Sequence, residues 1–302
     1  MHSTNAIVIL SPPRSFSSVV CGMLGRHPQL YGLPELNLFV ADTIEGWYVT
    51  LSQKKKRAQP TSGLLRVLAQ LHEEAQTEKS IDRAWEWLAA RRRWSTRRLW
   101  EYLSELVYPR VLLDKSPLTS MRSTYMQRAL EMIPNTNFIH LTRHPVATTK
   151  SMQELRDRGS KDDPEGDGAS ESKDNNPLLF WYKSHHAILK FCADLPEGQS
   201  LQVIGEHLLE ENDKYLVQIC QWLGLRYDPE AIEAMKHPEY SPYACLGPAN
   251  AHYGNDPKFL MSPELRSAKF KLPPIEGYPH FMRASEEHQS NILVLAHQLG
   301  YR

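Results

Sequence analysis

The chain has 302 residues, with 35 Lys plus Arg set against 35 Asp plus Glu, 41% hydrophobic and 23% charged residues. These values exclude a disordered chain and, at zero net charge, nucleic-acid binding driven by bulk positive charge. No run reaches the ~20 apolar residues of a membrane span, and the length suffices to bury a large α/β core.

Cys21, Cys192, Cys220 and Cys245 are far apart and none has C-x-x-C spacing. They predict neither a zinc ribbon nor a thioredoxin-type site, but reduced thiols in a cytoplasmic protein. The first strand begins near residue 6, which leaves no room for a signal peptide.

Ala6-Ile-Val-Ile-Leu10 is a short, fully apolar run, as expected of a buried strand in a parallel sheet. It ends in Ser11-Pro-Pro-Arg-Ser-Phe-Ser-Ser18, and a helical segment follows at once. Such a strand–loop–helix places unpaired N–H groups, hydroxyls and the Arg14 fork at the positive end of a helix dipole, which suits phosphate or sulfate. It is P-loop-like without being a Walker A loop, because Ser11 to Ser18 contains neither Gly nor Lys.

Tyr31 to Leu33 reads as a second strand stopped by Pro34, with Glu35 just beyond its end. From about 42 to 108 the pattern predicts only helices, an insertion after strand 2, carrying basic clusters at Lys54–Arg57 and Arg91–Arg98. Val111-Leu-Leu113 precedes Asp114-Lys-Ser-Pro117, and a helix is expected from there to Pro134. Asn137 to Leu141 is the next strand, ending in Thr142-Arg-His-Pro145, and Ser151 lies in the helix that Pro145 opens.

Residues 159–176 contain no large apolar side chain and predict a mobile loop. Leu201 to Ile204 is a further strand, Asp213 to Leu223 a helix closed by Gly224, and residues 240–279 an irregular stretch. Ser285 caps a closing helix. Alternating strands and helices give one domain over 1–302, three-layer α/β/α around a central, mainly parallel sheet.

Three strand ends then carry cationic groups: Arg14 with Ser15, Ser17 and Ser18, then Lys115, then Arg143 with Ser151 one helix on. In a parallel sheet these ends share one edge, so the groups are expected to hold a ligand with more than one anionic group.

These motifs resemble those of sulfotransferases that use 3′-phosphoadenosine-5′-phosphosulfate (PAPS). Pro13-Arg-Ser-Phe-Ser-Ser18 is similar to their P-R-S-G-[ST]-[ST] loop, and Arg143-His-Pro145 with Ser151 to their R-x-P followed by Ser. Asp114-Lys-Ser-Pro117 matches their D/E-K-[ST]-P element. Leu33-Pro-Glu-Leu-Asn-Leu-Phe39, Gly254-Asn-Asp-Pro-Lys-Phe259 and Ser262-Pro-Glu-Leu265 resemble elements of sulfotransferase domains in bacterial polyketide assembly lines. Phe16 stands where the family carries Gly, and Gly205 where a Tyr is common.

The resemblance implies in-line transfer of a sulfuryl group from PAPS to an acceptor hydroxyl, on a β-hydroxyacyl chain held by an acyl carrier protein or on a small hydroxylated metabolite. It implies no metal. By position, Arg14, Ser15, Phe16, Ser17 and Ser18 would hold the 5′ phosphosulfate, and Arg143 and Ser151 the 3′ phosphate, with Arg266 and Lys269 as further cofactor contacts. Lys115 would sit at the transferring group, and Glu35 or His252 would be the base. His140 and His144 are expected to pack or cap beside the cofactor, and residues 159–176 and 240–257 to act as flaps. Two alternatives stay open: a P-loop-type kinase using ATP, and a non-catalytic nucleotide-binding or carrier-docking module.

Overall fold

The computed structural model describes residues 6–53, 59–161, 176–267 and 269–301. The Lys54–Arg57 cluster and most of the predicted 159–176 loop therefore lie outside the described residues.

Five parallel strands form one sheet: β1 (Ala6–Leu10), β2 (Leu30–Gly32), β3 (Val111–Asp114), β4 (Thr136–Thr142) and β5 (Ser200–Ile204), in the order β2-β3-β1-β4-β5. β1 lies at the centre, with Val8 opposite Asp114 of β3 and Leu10 opposite His140 of β4. All five of its residues are buried because both faces of the sheet are covered. Ala6, Val8 and Leu10 join one core and Ile7 and Ile9 the other, the period of two that a strand imposes.

Helix α1 (Ser17–Leu24) follows the first loop, and α2 (Ile44–Ser52), α3 (Ser62–Glu73), α4 (Glu78–Ala89) and α5 (Thr96–Val107) fill the stretch between β2 and β3. Their apolar faces, among them Trp47, Leu64, Leu68, Leu88 and Leu103, pack on the same core as Ala6, Val8 and Leu10. The opposite face is covered by α1, α10 (Asn212–Leu223) and α11 (Pro229–Met235), with Val20, Ile219 and Ile232 against Ile7 and Ile9. The helix α11 is absent from the sequence expectation; Asp228 caps it through the Ala231 N–H and Pro229 opens it.

Two further boundaries differ. β2 ends at Gly32, whose α-carbon meets Gly25 so closely that a β-carbon on Gly25 would lie 2.5 Å from it. The helix after β3 is interrupted: a 3₁₀ turn at Pro117–Met121 gives way at extended Arg122 to α6 (Ser123–Met132). The chain continues through α7 (Pro145–Lys161), α8 (Pro177–Ala193) and α9 (Gly205–Glu210), and beyond α11 through α12 (Pro257–Met261) and α13 (Pro279–Met282) to α14 (Glu286–Gln298). Ser285 accepts from the His288 N–H as the expected cap of α14.

The 240–279 stretch is irregular, as its Pro and Gly content predicts, but it is tied down. Arg66 of α3, with no solvent exposure at all, donates to the Tyr253 carbonyl at 2.8 Å. The Tyr243 hydroxyl meets that of Tyr31 at 2.7 Å. The Asn255 amide donates to the Tyr243 carbonyl. Among the described residues no helix is long and apolar enough to cross a membrane.

Candidate active site

The strand order decides what converges. β3 and β4 flank β1, so the loop after β1 has Lys115 on one side and Arg143 on the other. Glu35 follows β2, the outer neighbour of β3, and reaches Lys115: Nζ donates to Oε1 at 2.6 Å. The Lys115 side chain is 1% exposed, whereas that of Glu35 is 31% exposed. A buried ammonium is thus held by a carboxylate that still faces solvent.

In the loop itself Arg14 and Phe16 both take left-handed backbone conformations, with φ of 69° and 64°. That region is uncommon for residues with a β-carbon. The turn presents the first residues of α1, where Ser17 and Ser18 are buried. The Ser15 hydroxyl and the Arg143 Nε are buried without a hydrogen-bond partner. Buried polar atoms of this kind are rare, and here they sit beside a helix N-terminus and two guanidinium groups. This set of donors fits an anionic group.

Arg14 Nε donates to the Ser151 hydroxyl at 3.0 Å, so the two residues singled out in different motifs touch. Arg143 Nη1 donates to the Arg14 carbonyl at 2.6 Å. Its guanidinium carbon lies 4.2 Å from the centre of the Phe16 ring. Burial pushes the Arg143 guanidinium below the usual arginine range, an effect that nearby Glu206 opposes. Trp181 of α8 donates to the Arg143 carbonyl at 2.9 Å. Glu206 accepts from the His144 N–H at 2.9 Å and from the Tyr301 hydroxyl at 3.1 Å, which anchors the end of β5 to the Arg143 turn.

Asp114, the last residue of β3, is fully buried and accepts from the Ser116 hydroxyl at 3.1 Å. Burial pushes its carboxyl up to about 7. The same burial pushes the Cys21 thiol up to about 12, so this cysteine stays protonated. His140 pairs with His185 at 2.8 Å and His144 meets Tyr301 edge-on, so both rings pack on protein groups. Burial lowers His140 to about 3 and, with Arg143 and Lys150 nearby, His144 to about 4.

The other expected residues have different described partners. The His252 N–H donates to Gln59 at 2.8 Å, and its ring faces the Gly247 carbonyl at 3.2 Å; Lys115 is not among its described partners. Arg266 turns to Ser262 on its own segment, and Lys269 is exposed. Neither is among the described contacts of the Arg14 loop, although Phe270 packs against the Phe16 ring at 5.5 Å.

Two contributions escaped sequence reasoning. Asp256 pairs with Arg14, and its N–H donates to the Ser18 hydroxyl at 3.2 Å. The Asp-Pro signature of a helix start was the available signal, since Asp256 also caps α12 through the Lys258 N–H. Gly63 of α3 lies against the Glu35 backbone: a β-carbon there would fall 2.1 Å from the Glu35 carbonyl oxygen. Glu35 N–H in turn donates to the Gly254 carbonyl at 2.7 Å. The helical insertion thus forms one wall of the site.

The family model described as "Sulfotransferase family" matches residues 6–229. The sulfotransferase domain from the Synechococcus PCC 7002 olefin synthase is 27% identical with a TM-score of 0.73, over 100% of this chain and 97% of that one. The sulfotransferase domain from the curacin biosynthetic pathway is 22% identical with a TM-score of 0.71, over 100% and 99%. No curated protein matches. The matched region takes in all five strands and every cationic group at their ends, and this chain belongs to the sulfotransferase family.

Proposed function

We propose that the chain transfers a sulfuryl group from PAPS to an acceptor hydroxyl, releasing adenosine 3′,5′-bisphosphate. The observation that carries this reading is the meeting of the Arg14 loop, Lys115 and Arg143 at the ends of three adjacent strands. Two separated cationic groups on either side of a helix N-terminus suit a ligand anionic at both its 5′ and 3′ positions.

In this reading the bound donor supplies the activated sulfuryl group. Ser15, Ser17, Ser18 and Arg14 hold its 5′ end, with the first-turn N–H groups of α1. Arg143 and Ser151 hold the 3′ phosphate. The acceptor oxygen forms a bond to sulfur as the bond from sulfur to the 5′ phosphate oxygen breaks, and Glu35 takes the hydroxyl proton. Lys115 stabilises charge at the transferring group and keeps Glu35 turned toward it. Positioning and fixed positive charge supply most of the rate, as in phosphoryl transfer.

The acceptor we propose is a β-hydroxyacyl chain on an acyl carrier protein. The likeness to domains of the olefin synthase and of the curacin pathway supports it, as does a basic face on the insertion. There Arg91 stacks 4.0 Å from the Trp87 ring, and Arg98 4.0 Å from Trp94. Such stacked guanidiniums are held in orientation, a fit for an acidic carrier.

The test is calorimetric titration with adenosine 3′,5′-bisphosphate, against ADP and ATP, without added metal. Binding that requires the 3′ phosphate and weakens about 10- to 100-fold in Arg143→Ala is expected, from the loss of a charge-assisted contact. Equal binding of ADP and the bisphosphate would refute the donor assignment.

A further inference from the structure

We infer that Phe16 is a positioning residue for Arg143, and that Gly205 lacks a side chain so that the Phe16 ring can occupy that space. The inference rests on the reading of Arg143 as the 3′-phosphate group.

Phe16 has a β-carbon in a left-handed conformation, φ 64°, at the N-cap of α1, where its side chain makes no capping hydrogen bond. A glycine would adopt this backbone freely. Strain of this kind persists only where the surroundings hold it, and it gathers at functional sites. Here the surroundings are specific. The ring packs on Phe270 at 5.5 Å, and the Arg143 guanidinium lies over its face at 4.2 Å. On a third side a β-carbon at Gly205 would fall 2.6 Å from Phe16 Cδ2 and 3.0 Å from the Thr142 carbonyl oxygen.

Arg143 needs such support. One end of its fork is fixed by the Arg14 carbonyl at 2.6 Å, while its buried Nε has no partner. A long cationic side chain with one hydrogen bond has rotamers to spare. An aromatic face beneath the guanidinium restricts them and favours the charged form, which burial opposes. The ring therefore turns Arg143 toward the ligand, and the bare α-carbon at the start of α9 leaves the ring its room.

The experiment compares the affinities of adenosine 3′,5′-bisphosphate and adenosine 5′-phosphate by calorimetry, because their ratio isolates the 3′ phosphate. The variants are Phe16→Gly, Phe16→Leu, Gly205→Ala and the double Phe16→Gly/Gly205→Ala. Phe16→Leu preserves apolar bulk should the glycine variant fold poorly. Both Phe16 variants are expected to reduce the ratio about tenfold, the scale of one desolvated cation–π contact, whatever they do to 5′-phosphate affinity, which the ratio cancels. Gly205→Ala should reduce the ratio in the native background. It should have a much smaller effect with Phe16→Gly, where only the tight approach to Thr142 remains. A ratio unchanged in both Phe16 variants would overturn the inference, as would an equal effect of Gly205→Ala in the two backgrounds. A native protein with no preference for the 3′ phosphate would instead overturn the donor assignment beneath it.

Discussion

Replacing Glu35 with Gln separates the two jobs assigned to that carboxylate. Its partner, the Lys115 ammonium, is 1% exposed and bonded at 2.6 Å. Removing one member of a fully buried pair costs about 3–5 kcal/mol. The loss here should be smaller, because Glu35 is 31% exposed and the Gln oxygen can still accept from Nζ. About 1–2 kcal/mol is expected, seen by thermal unfolding as a drop of roughly 1.5–3 °C. Such a loss leaves nearly all the protein folded at 25 °C, so any large change in rate is chemical. Losing a general base should lower kcat by about 10²- to 10⁴-fold, with affinity for adenosine 3′,5′-bisphosphate retained. Lys115→Met gives the complementary result. An apolar isostere of a buried lysine can be neutral for stability, and Glu35 can hydrate, yet the rate should fall by about 10²-fold or more. A Glu35→Gln enzyme that turns over within about threefold of the native rate, well short of the usual general-base effect, would refute the assignment of the base.

Three further outcomes are expected. The Asp114 carboxyl is raised from an ordinary 3.8 to about 7, so the folded state keeps a proton that the unfolded chain releases first. Its contribution to stability therefore falls as pH rises from about 4 to about 7, by at most roughly 4 kcal/mol. Asp114→Asn keeps an acceptor for Ser116 and should flatten that slope in denaturant titrations from pH 4 to 8; an unaltered slope would refute it. Gly63→Ala pushes a β-carbon toward the Glu35 carbonyl and should cut kcat about 10²-fold while donor affinity holds, since displacements near 1 Å cost that much. An unaffected kcat would mean that α3 does not position Glu35. Arg91→Glu with Arg98→Glu should raise KM for a carrier-bound acceptor but not for the same acyl group on a small thiol. Equal KM changes for both would remove the docking face.

Much of the fold was legible because its signals are local. A five-residue apolar run rich in Ile and Val between polar turns is too short for a helix and reads as a strand buried on both faces, and Gly224, Pro145 and Ser285 mark helix ends through their own backbone chemistry. The short α11 and the break at Arg122 were missed because seven residues, or one extended residue, leave too little periodicity to read.

The candidate site divides in the same way. Arg14, Lys115 and Arg143 could be placed at strand ends from sequence, because each lies within a few residues of the end of an apolar run. Which strands are neighbours is a tertiary fact. Only the order β2-β3-β1-β4-β5 sets Lys115 and Arg143 on opposite sides of the Arg14 loop and brings Glu35 within 2.6 Å of Lys115. Asp256 and Gly205 lie far from that loop along the chain and reach it through packing, as Gly63 reaches Glu35, so spacing alone did not reveal these meetings. Phe16 and Gly205 show the division most plainly. In sequence each is a separate departure from a motif, and in the folded chain the absence of one side chain makes room for the other. Local residue chemistry determined the elements and the charges at their ends; the close packing of distant segments decided which of those groups meet.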